Sequence, residues 1–208
     1  MSAPHDAIVL MARAPELGRV KTRLASEMGD DQALAIYREL GESIADALRK
    51  AGPRVVVSYT PATAEDLTRE WLGDDLRYEP QPSGDMGARM HAAISARLAA
   101  GADRVVVVGS DCPTMAPETV RAAFAALTDA DVVLGPATDG GLYLIGVSAS
   151  HDGLLSSIPW SSGEVLSATM ERAEAAGLRV TMLPVMRDID TAADWRAHRD
   201  AEWTRARD

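Results

Sequence analysis

The chain has 208 residues, 47% of them hydrophobic and 25% charged, with a formal net charge of −10. That length and composition suit a globular domain with a substantial core, and the acidic balance argues against nucleic acid or an anionic membrane as a partner. Cys112 is the only cysteine, which excludes an internal disulfide and a cysteine-based zinc site.

No basic stretch leading into a long apolar core opens the chain, so a cytoplasmic location is expected. The first strand-like run is 7–11, and it leads into Ala12-Arg-Ala-Pro-Glu-Leu-Gly-Arg-Val-Lys-Thr-Arg-Leu24. Arg13, Arg19, Lys21 and Arg23 thus share a loop, containing Gly18, that runs into a helix. A loop after the first strand of an α/β sheet binds phosphate through backbone N–H groups and the helix dipole. Four cations suffice to neutralise a di- or triphosphate, although neither the Walker A pattern nor Gly-x-Gly-x-x-Gly is present. Lys21, in a loop, reads as exposed and of little consequence for folding.

A helix is expected over 32–51, where Leu34, Tyr37, Leu40, Ile44, Ala47 and Leu48 fall on one face. A strand over 54–59 and a helix over 64–72 follow. Gln81, Gly84 and Asp85 then precede a helix over 86–100; Asp85 reads either as its cap or, with the other two, as a contact to base or ribose. The run 104–109 is almost wholly apolar and β-branched, as in a buried parallel strand. Asp111 stands just beyond it, where ligands collect in open α/β sheets. Cys112 beside it reads as a small packing residue and not as a nucleophile.

After a helix over 117–127, strand-like runs 131–135 and 141–147 are joined by Pro-Ala-Thr-Asp-Gly-Gly, which suits a hairpin. Asp139 in that link is either a turn residue or a general base facing an acceptor. Trp160-Ser-Ser-Gly163 is either an aromatic anchor or an acceptor-side lid. A helix over 164–176 and a strand-like segment over 178–186 lead to Asp190, which precedes a helix-like start. If the strands before Asp111 and Asp190 are neighbours, the two carboxylates converge and offer hard oxygen ligands to Mg2+ or Mn2+. Otherwise each is a cap. Alternation of strand and helix implies a mainly parallel α/β sheet, and no linker or repeat divides residues 1–208, so one domain is expected.

Five segments occur in order: Ala-Arg-Ala-Pro-x-x-Gly-Arg-Val-Lys-Thr-Arg-Leu-Ala, Gln81-x-x-Gly-Asp-Met-Gly-Ala-Arg-Met90, Gly109-Ser-Asp-Cys-Pro113, Gly135-Pro-Ala-x-Asp-Gly-Gly-Leu-Tyr-Leu-Ile-Gly146 and Asp188-Ile-Asp-Thr191. Together they resemble a bacterial glycosyltransferase-like family of the nucleotide-diphospho-sugar transferase superfamily, with the GT-A fold. Phospholactate guanylyltransferase and the molybdenum-cofactor nucleotidyltransferases are its relatives. The resemblance implies a three-layer α/β/α fold around a mainly parallel, seven-stranded mixed sheet. It also implies a nucleotide-activated donor at the strand ends.

By the same resemblance Asp111 and Asp190 are the ligands of Mg2+ or Mn2+, with Asp188 as the alternative to Asp190. Lys21 and Arg23 match the segment with which related guanylyltransferases approach the triphosphate. The expected catalytic residues are Asp111, Asp139 and Lys21. Arg13, Gly18, Arg19, Lys21, Arg23, Gln81, Gly84 and Asp85 are the expected nucleotide and phosphate contacts. The expected partners are a nucleotide-activated donor and a small-molecule acceptor. Glycosyl transfer from a nucleotide diphosphate sugar is the favoured activity. Nucleotidyl transfer from a nucleoside triphosphate, releasing pyrophosphate, is the alternative, and a non-enzymatic nucleotide-binding module is a third reading.

Overall fold

The computed structural model of the protein describes residues 5–205. In chain order the elements are β1 (Asp6–Arg13), α1 (Thr22–Met28), α2 (Asp30–Ala51), β2 (Arg54–Thr60), α3 (Glu65–Leu72), β3 (Arg77–Pro80) and α4 (Met86–Ala99). They continue with β4 (Arg104–Val108), α5 (Pro117–Ala126), β5 (Val132–Pro136), β6 (Leu142–Val147), α6 (Val165–Ala175), β7 (Val180–Met182) and α7 (Ala192–Arg205). Among the described residues seven strands form one sheet in the order β3-β2-β1-β4-β6-β5-β7. β6 runs antiparallel to its neighbours β4 and β5, and the other pairings are parallel. The mixed, mainly parallel α/β sheet expected from the sequence is therefore present.

The strands are apolar on both sides because helices cover both faces. Ile8, Leu10 and Ala12 of β1 pack with Tyr37, Ile44 and Leu48 of α2 and with Val120 and Phe124 of α5. The alternate residues Val9 and Met11 face Met90 and Ile94 of α4 and Ala173 of α6. This period-two division places one sheet between two helical layers. Acidic residues Asp30 and Asp31 open α2, and Arg49 and Lys50 close it, which matches the helix dipole at each end.

Three features depart from the sequence reading. β3 was not expected, because only Tyr78 of its four residues is buried and an edge strand carries little apolar signal. The segment 178–186 is not one strand: pairing with β5 covers Val180–Met182, and Met186 makes an isolated bridge to Ala137. The strands preceding Asp111 and Asp190 are not neighbours either, since β6 and β5 lie between β4 and β7. The hairpin linking β5 to β6 is as expected, with Pro136 opposite Leu142.

Packing behind the strand ends turns on Gly41. A Cβ there would lie 2.0 Å from Cζ2 of Trp71, so only glycine lets the indole close against α2. The Trp71 ring in turn lies 5.0 Å from that of Tyr37, and its Nε1 donates to the carbonyl of Arg38 at 3.1 Å. The Tyr37 hydroxyl donates to the Arg13 carbonyl at 2.9 Å and accepts from the Arg13 amide at 3.0 Å, fixing the last residue of β1.

Replacing a mid-helix glycine with alanine ordinarily gains about 0.5–1 kcal/mol. Gly41→Ala is expected to do the reverse, because overpacking costs ~1–3 kcal/mol. A urea denaturation midpoint that rises in this variant would contradict the packing described. Tyr37→Phe removes the partner of two Arg13 backbone groups, at a cost of about 1–3 kcal/mol. Hydrogen exchange at the Arg13 amide should accelerate; unchanged protection there would show that the hydroxyl does not hold the strand end.

Candidate functional site

The carboxyl ends of β1 and β4 lie side by side, so the segments that follow them border one cleft. After β1 the chain turns through 14–20 and enters α1. Lys21 precedes that helix with φ 47° and ψ 47°, a left-handed conformation that costs energy in a residue with a side chain. Its Nζ lies 2.7 Å from Asp111 Oδ1 and 2.9 Å from Asp190 Oδ1. Only 6% of its side chain is exposed, so Lys21 is not the exposed loop lysine that the sequence suggested. Burial opposes its charge, but Asp111 and Asp190 outweigh burial and hold the ammonium above the ordinary lysine value.

Asp111 and Asp190 meet although their strands are not neighbours. The segment after β7 continues alongside β5, held by Leu183 N–H to the Leu134 carbonyl at 2.8 Å and Met186 N–H to the Pro136 carbonyl at 3.0 Å. It then reaches Asp111, whose carbonyl accepts from Ile189 N–H at 3.0 Å. Ile189 is fully buried against Leu24 of α1 and Ile36 and Leu40 of α2. Its neighbours Asp188 and Asp190 are each only partly buried; both line a small hollow, and Asp190 also lines the cleft. Thr191 ends the segment by donating its hydroxyl to Asp194 at 2.6 Å, while its backbone N–H donates to the same oxygen at 3.0 Å, which starts α7.

The cleft is an open cavity of about 630 Å³ lined by both cations and carboxylates. Arg13, Arg19, Arg23 and Arg89 line it together with Lys21, and Asp111, Asp139 and Asp190 line it as well. Arg23 is largely exposed and approaches Asp190 Oδ2 at 3.5 Å. Asp139 comes from the β5–β6 hairpin, where its Oδ1 accepts from Gly141 N–H at 2.7 Å. Gly140 in that turn has φ 85°, and a Cβ on it would lie 2.1 Å from the Gly163 carbonyl oxygen. Glycine is thus required for the hairpin to close against the Trp160–Gly163 loop.

Carboxylate oxygens of Asp139, Asp188 and Asp190 all lie within 4.8 Å of one another. Burial, then the nearby Asp139 charge, raises the Asp188 carboxyl above the ordinary aspartate value. Such a set of hard oxygens fits Mg2+ or Mn2+. The sequence pointed to Asp111 with Asp190 for that role. In the structure the Lys21 ammonium bridges that pair, and Asp139 and Asp188 lie close to Asp190.

The other expected residues are distributed unevenly. Gln81 lines the cavity, yet its Nε2 donates to the Ser58 carbonyl at 2.7 Å and its Oε1 accepts from Arg89 at 3.3 Å. Asp85 caps α4 by accepting from Ala88 N–H at 2.8 Å, and it is not among the residues lining the cavity. Gly18 and Gly84 take positive φ in turns and also lie outside that lining. Cys112 is buried, and burial followed by Asp188 and Asp111 pushes its thiol up, away from nucleophilic use. Sequence reasoning missed Arg89, inside a helix, and Tyr37, which looked like a core position. Burial pushes the Tyr37 hydroxyl up to about 12, and that hydroxyl also sits 3.5 Å from Ser110 Oγ beside Asp111.

Comparison with known proteins agrees with this architecture. A 2-phospho-L-lactate guanylyltransferase from Halorubrum lacusprofundi is 32% identical over 124 residues, 59% of this chain. The match spans 54% of that enzyme's length. The crystal structure of a candidate nucleotide-diphospho-sugar transferase from Desulfovibrio desulfuricans G20 superposes with a TM-score of 0.86 at 33% identity, covering 91% of this chain and 84% of that one. Rv0371c from Mycobacterium tuberculosis H37Rv, in complex with manganese, shares the fold at 18% identity and a TM-score of 0.57, over 93% of this chain and 97% of that one. The profile of a family described as "Uncharacterized protein conserved in bacteria (DUF2064)" matches residues 43–162, from α2 through the Trp160 loop. The chain belongs to that bacterial family, on a fold shared with the nucleotide-diphospho-sugar transferases.

Proposed function

We propose that this protein is a nucleotidyltransferase that takes a nucleoside triphosphate and a small acceptor. An acceptor oxygen attacks the α-phosphorus, the bond from that phosphorus to the bridging oxygen breaks, and pyrophosphate leaves. The observation that carries the reading is the buried Lys21 ammonium at the meeting point of the cationic loop and the aspartates. Lys21, Arg13, Arg19 and Arg23 give the triphosphate a countercharge at the β1 end, where charge also builds up on the leaving pyrophosphate. Asp139, on a hairpin made rigid by Gly140, lies beside the acceptor and takes its proton. Mg2+ or Mn2+, held by Asp190 with Asp188 or with Asp111, would supply Lewis-acid charge to the phosphates. The manganese complex of Rv0371c supports a divalent ion on this fold.

Glycosyl transfer, favoured from sequence alone, becomes the second reading. The guanylyltransferase relative and the number of cations around Lys21 both favour a triphosphate. The likeness to the Desulfovibrio protein is what keeps a nucleotide diphosphate sugar in view.

Incubation with a panel of nucleoside triphosphates, nucleotide sugars and small phosphorylated or hydroxylated acids, with Mg2+ or Mn2+, separates the two. Pyrophosphate release is expected; release of a nucleoside diphosphate from a nucleotide sugar would transfer the case to glycosyl transfer, and turnover with neither donor would sink both. Asp111→Asn and Asp190→Asn should stay folded by circular dichroism and lose turnover by orders of magnitude. Full activity in either variant removes that residue from the mechanism. Lys21→Ala should weaken triphosphate binding by roughly 10- to 150-fold, the equivalent of one charge-assisted hydrogen bond of about 1.5–3 kcal/mol. Titration calorimetry with the triphosphate checks this, and unaltered affinity would return Lys21 to a purely structural role.

A further inference from the structure

We propose that Lys21 is the resident cation of the Asp111–Asp190 pair, and that a divalent ion can take those two oxygens only by displacing it. The coupling to nucleotide rests on the phosphate-binding reading given above. Nζ touches one oxygen of each carboxylate, at 2.7 and 2.9 Å. A Mg2+ drawing ligand oxygens to about 2.0–2.1 Å would need the space between them, which the ammonium fills. The two cations cannot share it, because both would contact the same oxygens and repel each other. Arg23, 3.5 Å from the second oxygen of Asp190, balances the charge further. The pull of these two oxygens on a divalent ion is therefore weak while Lys21 stays in place.

Lys21 is held there firmly. Its side chain is 6% exposed, and its left-handed backbone at the start of α1 directs it toward the aspartates. A phosphate chain in the cavity beside Arg13 and Arg19 gives the ammonium an alternative anionic partner. Side-chain rotation toward it would free both carboxylates. Divalent ion and triphosphate then bind together, and each is weak without the other, a reciprocal coupling between two ligands of one site.

The composition makes the displacement observable, because Lys21 and Lys50 are the only lysines and Lys50 lies in the last turn of α2. Selective 13C and 15N labelling of lysine therefore gives two side-chain signals by NMR. The Lys21 signal should stay in place with Mg2+ alone and move with Mg2+ and GTP. Movement with Mg2+ alone, at the concentration that accompanies GTP, would overturn the coupling to nucleotide. Calorimetry with Mn2+ and no nucleotide gives an independent arm. Lys21→Met should bind Mn2+ at least about tenfold more tightly than the native protein, a gain of about 1.4 kcal/mol. Lys21→Gln, which keeps hydrogen-bonding capacity, serves as the second variant. Adding Asp111→Asn to either should abolish the gain. Equal Mn2+ affinity in native and variant proteins, or a gain that survives Asp111→Asn, would overturn the proposal. If none of the nucleoside triphosphates moves the lysine signal or binds, while the Mn2+ gain appears, Lys21 remains the resident cation and the nucleotidyl-transfer reading fails.

Discussion

The ammonium of Lys21 between Asp111 and Asp190 is the interaction on which the strand-end architecture depends. Two unit charges about 4 Å apart repel by ~4 kcal/mol at the screening typical of a protein surface. Asp111, Asp139, Asp188 and Asp190 are gathered around one small hollow, so some cation must compensate them. In this structure the chain supplies its own. Lys21 thereby joins three separate parts of the sequence: the loop after β1, the end of β4 and the segment before α7.

That joining works because each partner is anchored behind the cleft by apolar packing. Ile189 is buried beneath α1 and α2, and its amide is held by the Asp111 carbonyl. Leu24, one turn into α1, belongs to the same cluster and fixes the helix that Lys21 precedes. The Tyr37 hydroxyl ties the end of β1 to α2, and Gly41 allows Trp71 to close on that helix. Charged groups at the cleft are thus placed largely by buried packing behind it, which is how a preorganised site keeps its geometry.

The cleft carries both signs of charge. Four arginines and a buried lysine line it together with carboxylates, and Lys21 and Arg23 pair directly with Asp190. Such mixed-charge sites suit a reaction in which an anionic donor meets an acceptor that must lose a proton. The mixture of charges is read from the residues lining the cavity.

The sequence by itself determined the layered α/β fold, because period-two strands and 3.6-period helices report which faces are buried. It also placed Asp111, Lys21 and Asp139 in loops after strands, since Gly, Pro and charged residues mark those breaks. Short-range pattern could not reveal β3, whose four residues bury one side chain. It offered the helix cap as one of two readings of Asp85 without deciding it, and could not show that Gln81 spends its amide on backbone, because those partners are set by local three-dimensional geometry. Strand order gave the wrong reason for the meeting of Asp111 and Asp190: β4 and β7 are separated, and the segment after β7 brings the carboxylates together. Only the tertiary structure decided that Lys21 would be buried between them. Burial of a lysine depends on what surrounds it, and here the surroundings come from residues 90 and 169 positions away.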